Sequence, residues 1–284
     1  MNAQLIISIR TYSLLFILLI LAGCKTSQAV VTEAATPRLD TELYALIGNY
    51  KLLEVDKLGF IYLVTVEKNE ILKLTADYEI LFRFSLRGFG DIHQLFVDNP
   101  QKLMVYYSDY NKIIFLDNTL SEINRLDLES LSLWNMQGAT LARNNIIWLL
   151  DSANIRLLTI AETGKILLST NEQDPVLREY ISEVPYMINK NNLIYINNGK
   201  KIAIYDEFGV HMKSYEHNNQ GIQLHNKQIL FLEDKQLMSI DTDLVRLSNS
   251  AQRLAELKGP AIDFYLRGRS LYWIDSYGLV VQNL

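Results

Sequence analysis

Four histidines, His93, His211, His217 and His225, are the first residues to test for chemistry. A zinc site needs three or four convergent ligands. None of these histidines pairs with a cysteine or stands four residues from another, so no metal site is expected. His211 and His217 flank an expected outer strand and read as exposed polar residues. The acids Asp109, Asp151, Asp234 and Asp275 recur at corresponding places. A catalytic ring would need them to converge, but each falls in a short polar turn, where Asp accepts bonds from nearby backbone N–H groups. The chain has no Gly-x-Ser-x-Gly elbow, no glycine-rich phosphate loop and no Asp-x-Asp-x-Asp-Gly calcium loop, so no cofactor is expected. One glycine-paired loop carries charge, Arg87-Gly88-Phe89-Gly90-Asp91. Arg87 and Asp91 are candidates to hold a polar ligand at a channel mouth. The alternative is a salt-bridged or hydrated connector made flexible by its glycines.

The remaining reactive residue is the lone cysteine, Cys24. One cysteine forms no intramolecular disulfide, so the fold is built without that staple. An apolar run at residues 14–21 (LLFILLIL) follows Arg10 and leads into Ala22-Gly23-Cys24. The run is shorter than the ~20 apolar residues of a spanning helix and has the plan of a secretory signal. Leu21, Ala22, Gly23 and Cys24 resemble the lipobox of bacterial lipoproteins. That resemblance implies cleavage before Cys24, a diacylglyceryl group on its thiol and an acyl group on its new amine. Several acyl chains attach firmly, since each buried methylene adds ~0.8 kcal/mol. Position 25 is Lys, so the aspartate associated with inner-membrane retention is missing, and no acidic cluster follows of the surface-export kind. The outer membrane, with the domain facing the periplasm, is the expected location. Residues 1–23 are thus read as signal peptide and 24–40 as lipidated cysteine and flexible tether, rich in small and polar residues.

The rest, 41–284, must supply whatever elements position a site. Half of the chain is apolar and its net charge is −5, with no basic stripe, which argues against nucleic acid as a partner. Residues 143–160 (RNNIIWLLDSANIRLLTI) show the repeating unit: an apolar strand, a polar turn and a second strand. The first strand is apolar on successive residues, as in a strand covered on both faces. Six such hairpins align on Tyr62, Tyr106, Trp148, Tyr195, Phe231 and Tyr272, on average 42 residues apart. A period near 40–45 residues with several strands each is the mark of propeller blades. A strand precedes each hairpin, and in five repeats a third, mixed strand follows, at 80–84, 123–126, 166–169, 210–215 and 244–247. The expected fold is all-β: a six-bladed β-propeller of four-stranded antiparallel blades.

Residues 55–62 (VDKLGFIY) carry a resemblance to propellers of the NHL and related groups, in which Val-Asp-x-x-Gly-x-Ile-Tyr opens a blade. The resemblance implies architecture, not activity. The sixth repeat lacks an outer strand, and residues 42–47 (ELYALI) precede the first without a blade of their own. Pairing them beside 279–281 would close the ring and remove its edge. Two longer connections, 174–184 and 250–258, read as short helices on one rim, the first opened by Asp174-Pro175 and the second stopped by Gly259-Pro260.

Aromatics outside the blade pattern, Phe89, Tyr110, Trp134, Tyr180 and Tyr186, fall in expected loops or strand starts on one face. Exposed aromatics on a rigid rim suit partner binding. The functional expectation is therefore a lipid-anchored envelope propeller acting as a protein-binding or scaffold module in outer-membrane assembly or maintenance. In plan it resembles the propeller lipoprotein of the barrel-assembly machine and the propeller of the Tol system. The alternatives are a propeller enzyme of lyase or lactonase type, or a glycan or small-ligand sensor using the central channel. Catalytic propellers usually bring several carboxylates, histidines or a metal to that mouth, and no such constellation is visible.

Cys24→Ser is expected to abolish labelling by a fatty-acid analogue and leave the protein unprocessed or unanchored. Labelling equal to the parent would contradict lipidation at Cys24.

Overall fold

A computed structural model describes residues 43–181, 185–242 and 250–284. The signal, Cys24, the tether and Glu42 lie outside the described residues. The chain enters at β1 (Tyr44–Ile47) and then forms blades in order. Blade 1 is β2 (Tyr50–Val55), β3 (Ile61–Thr65), β4 (Ile71–Leu74) and β5 (Ile80–Phe84). Blade 2 is β6 (Gln94–Phe96), β7 (Leu103–Tyr107), β8 (Lys112–Leu116) and β9 (Glu122–Asp127). Blade 3 is β10 (Met136–Leu141), β11 (Ile147–Asp151), β12 (Arg156–Ile160) and β13 (Ile166–Ser169). Blade 4 is β14 (Tyr186–Lys190), β15 (Leu193–Asn197), β16 (Lys201–Tyr205) and β17 (His211–Glu216). Blade 5 is β18 (Ile222–His225), β19 (Gln228–Glu233), β20 (Gln236–Asp241) and β21 (Gln252–Glu256). Blade 6 is β22 (Asp263–Arg267), β23 (Ser270–Ile274) and β24 (Gly278–Asn283), completed by β1 as its outer strand. The six sheets make a six-bladed propeller ring, as the repeat predicts.

The pattern of burial explains the sequence pattern. All five residues of β7 and of β11 are buried, because each second strand is covered on both faces by neighbouring blades. The core is six apolar wedges, one per blade interface. The wedge between blades 2 and 3 joins Tyr106 and Phe115 to Ile147 and Leu158, and the wedge between blades 6 and 1 joins Ile274 and Leu279 to Leu53 and Leu63. The 55–62 motif has a direct cause. Asp56 is buried, and its Oδ1 accepts from the amides of Leu58, Gly59 and Phe60 at 2.9, 2.8 and 3.0 Å. Tyr62 donates its hydroxyl to Oδ2 at 3.1 Å, and Gly59 takes φ +97° to complete the turn.

Ring closure follows the expected pairing. Tyr44, Leu46 and Ile47 stand opposite Val280, Leu279 and Gly278 in antiparallel register. Tyr44 donates to Asp275 at 2.8 Å, and Asp275 itself caps its turn through the amides of Tyr277 and Gly278. Two expectations need correction in blade 5 and its neighbour. Residues 250–258 do not form a helix. They contain β21, the outer strand of blade 5, paired with β20. QRLAE is largely exposed there, so it lacks the alternation that marks a half-buried strand. The strand expected at 244–247 lies outside the described residues. In the other connection, Asp174 does open a turn, with Oδ1 accepting from the amides of Val176 and Leu177, but the helix is a single 3-10 turn, Leu177–Glu179.

Gly278 tests the closure. A Cβ there would lie 2.4 Å from the Leu46 carbonyl oxygen, which is backbone and cannot step aside. Gly278→Ala should cost about 1–3 kcal/mol and lower the melting temperature by several degrees. Gly259→Ala, with nothing within 4 Å of the new Cβ, should melt like the parent. Equal melting of all three would show that β1 is not the clasp.

Candidate functional site

A four-stranded meander fixes which loops share an end of the ring. The turns from first to second and from third to fourth strand lie at one end. The turns from second to third strand and the blade-to-blade connections lie at the other. The two ends differ in chemistry.

At the first end a cavity of about 330 Å³ opens along the channel. Its turn residues, among them Lys57, Asp98, Arg143 and Asn191, all come from first-to-second turns. Its walls are the innermost strands, and their polar residues tie the blades together. Leu53 N donates to Asp263 Oδ2 at 2.8 Å, joining blades 1 and 6. Gln223 clamps Leu266 of blade 6, accepting from its amide at 2.7 Å and donating to its carbonyl at 2.9 Å. Asn189 N donates to Thr140 at 3.0 Å, joining blades 4 and 3. Gln94 of blade 2 reaches past blade 3 to blade 4, donating to the Met187 carbonyl at 2.5 Å and accepting from its amide at 3.2 Å. Gly138 permits this approach, since a Cβ there would lie 2.5 Å from Met187 Sδ. His93 adds a bond of 3.2 Å between its Nε2 and the Pro185 carbonyl. His93 is half-buried at this point of the ring.

Deep in the cavity lie two carboxyl groups. Glu54 of β2 accepts the Tyr186 hydroxyl at 2.8 Å, a bond that crosses the channel from blade 4 to blade 1. Asp263 of β22 accepts the amides of Leu53 and Phe264, both at 2.8 Å. Removal from water raises the Glu54 pKa well above the carboxylate range; the Asp263 charge adds to the rise and the Tyr186 bond opposes it. Desolvation likewise pushes Asp263 up to about 7, against its two backbone bonds. Tyr186 and Tyr265 are raised by the same burial and by Glu54, and both stay neutral. Desolvation lowers His93, which favours its neutral form.

The residues proposed from sequence are scattered over this frame. Tyr180 is 1% exposed and packs in the wedge between blades 3 and 4, so it is core and not rim. Tyr186 turns into the channel to meet Glu54. Phe89 is half-buried against the wedge between blades 1 and 2, with the Arg125 guanidinium 4.8 Å from its ring centre. Tyr110 and Trp134 are exposed, at 51% and 56%. Asp91 is exposed and pairs with Lys51 at 3.2 Å, and Arg87 is exposed beside it in the chain. Neither lines the cavity, which opens at the opposite end. Glu54, Asp263 and Tyr265 were not singled out from sequence. A charged residue inside KLLEV and another opening DFYLR were the available signal.

Among the described residues no group of three potential ligands could hold a metal ion, and no helix is long and apolar enough to cross a membrane. Fold and cavity define the molecule as a six-bladed β-propeller with a polar central cavity. No family model matches the chain, and no curated protein matches it. Solved propellers are similar in fold. A virginiamycin B lyase from Staphylococcus aureus aligns over 81% of this chain and 78% of that one, at 13% identity and a TM-score of 0.54. BamB from Moraxella catarrhalis aligns over 83% of this chain and 84% of that one, at 12% identity and a TM-score of 0.51. The extracellular domain of a one-component system from B. thetaiotaomicron aligns over 82% and 34%, at 12% identity and 0.51. At these identities the likeness shows the fold alone.

A raised carboxyl pKa favours the fold at low pH. Asp263 binds its proton more tightly folded than unfolded, so its contribution is complete below its ordinary 3.8 and is lost as pH rises through about 7. Asp263→Asn should therefore gain melting temperature relative to the parent as pH rises from about 4 to 8. His93 is common to both proteins and drops out of the difference. A difference that does not change with pH would contradict the burial of this carboxyl.

Proposed function

We propose that the chain is a lipid-anchored envelope propeller that binds a protein partner with the end of the ring opposite the cavity. One observation carries the reading. Six large apolar residues are exposed there: Ile47, Val66, Tyr110, Trp134, Ile262 and Tyr277. Five belong to second-to-third turns or blade-to-blade connections, and Ile47 ends β1 where the connection to blade 1 begins, so topology puts them at one end of the ring. Tyr277 stacks edge-on to Tyr44, and the Val66 amide bonds to the Asn49 carbonyl, which draws the connections of blades 6 and 1 together. Exposed apolar groups that share one end of the ring suit a protein contact, as contiguous apolar patches do. Trp and Tyr are also the residues that most often anchor protein interfaces. The leader and Cys24 supply the envelope location in this reading. The frame suits a scaffold role, since blades hold connections rigidly while connections can vary without disturbing a core. The reading is binding, not turnover, at this face.

The test is partner capture from crosslinked envelopes. Trp134→Ala or Tyr110→Ala should weaken capture about fivefold or more, the ~1 kcal/mol loss that marks an anchor. Phe208→Ala, exposed at the cavity end, should leave capture unchanged. Tyr180→Ala should instead cost ~3 kcal/mol or more of stability, as large core truncations do. Full capture by the folded Trp134 and Tyr110 variants would overturn the reading.

A further inference from the structure

The cavity ends in two carboxyl groups, Glu54 and Asp263. Glu54 uses Oε1 for the Tyr186 hydroxyl, and its Oε2 has no hydrogen-bond partner among the described residues. Glu54 is half-buried and lines the cavity. No lysine or arginine among the described residues forms an ion pair with Glu54 or Asp263. Lys190, which lines the same cavity, is held by Asp98 at 3.5 Å. Two carboxyl groups buried without a cation cannot both ionise cheaply. Removal from water favours the protonated form of each. A ligand that brings its own positive charge would remove that cost.

The rest of the lining narrows the class of ligand. The half-buried Ile188 and Leu224 make part of the wall apolar, and Tyr186 and Tyr265 add aromatic rings. Among the described residues no three His, Cys, Asp or Glu side chains converge to hold a metal ion. An anion would meet two acids at the floor. An organic ammonium group offers up to three N–H donors to carboxyl oxygens and is attracted to aromatic faces. The volume, about 330 Å³, lies at the small end of ligand pockets, which run from ~300 to 1,000 Å³. We propose that the channel cavity binds a small organic ammonium ion, its nitrogen held by the carboxylates of Glu54 and Asp263. On binding, the cation replaces protons, which leave to solvent, and no covalent bond changes. The site stands at the other end of the ring from the apolar face and does not depend on the partner-binding reading.

The charged and titratable groups around the pair are Tyr186 and Lys190 on blade 4, Tyr265 on blade 6, Asp98 on blade 2, and Lys57 and Arg143 at the mouth. The tyrosines stay neutral and Lys190 and Asp98 offset each other, so the pair itself governs the pH response.

The experiment is calorimetric titration of the full-length chain with ethylammonium, ethanolamine and glucosamine, with N-acetylglucosamine as the neutral counterpart of the last. At least one ammonium probe should bind, with proton release seen in buffers of different ionisation enthalpy. Its affinity should rise from pH 5 to 8, as the carboxyl groups ionise more readily. Glu54→Gln should fold, since it removes a buried carboxyl, and should lose about tenfold or more in affinity. Asp263→Asn is the second variant and should lose affinity in the same direction. Binding by none of the three probes would overturn the proposal. So would equal binding of N-acetylglucosamine, or parental affinity in both folded variants.

Discussion

The ring depends on one antiparallel pairing, that of Tyr44–Ile47 with Gly278–Asn283. Each blade is a separate sheet, and adjacent blades meet through apolar wedges more than through backbone bonds. A wedge works only when both of its walls are present. If β1 left β24, blade 6 would lose its outer strand and expose an edge. The same connection carries the chain into the first strand of blade 1, so the wedge of Ile274, Leu279, Leu53 and Leu63 would be strained with it. The close approach that holds the clasp is available because position 278 has no side chain. Circular closure also spares the protein a disulfide, which its single cysteine could not provide.

Closure sets the shape of the channel, and the channel sets the state of its acids. Four of the six innermost strands contribute a polar side chain that bonds to the backbone of another blade: Gln94, Thr140, Gln223 and Asp263, with His93 adding a bond just ahead of Gln94. Tyr186 adds a side-chain bond across the axis to Glu54. These groups face inward because a strand alternates its side chains and the opposite set is committed to the wedges. The backbone clamps are neutral and satisfied. Glu54 and Asp263 are the exception, since each carries a group that would prefer water. Their raised pKa values follow from that position, not from any special chemistry of their strands.

The ring was legible in the sequence because its signal is physical and repeated. Second strands sandwiched between blades must be apolar on both faces, and IIWLL and MVYYS say so. Asp56 must cap a tight turn, and VDKLGFIY says that. The outer strand QRLAE was misread as helix because an outermost strand buries little, and an exposed strand carries no alternation to read. Tyr180 was misplaced because a loop that folds over a wedge looks, in sequence, like any loop. The cavity was missed for another reason. The first strands are short and mixed in composition, so the inward polar groups Glu54, Gln94, Thr140, Gln223 and Asp263 carry no common sequence mark.

The account divides the ring into an apolar partner face and a polar ligand cavity at its two ends. Site-specific photocrosslinking in intact envelopes measures that division directly. A photoreactive residue placed at Tyr277 or Ile262 should crosslink to a protein, while one at Leu58 or Phe208, exposed at the cavity end, should not. Crosslinks from Leu58 and Phe208 but none from Tyr277 and Ile262 would contradict the assignment of the partner face.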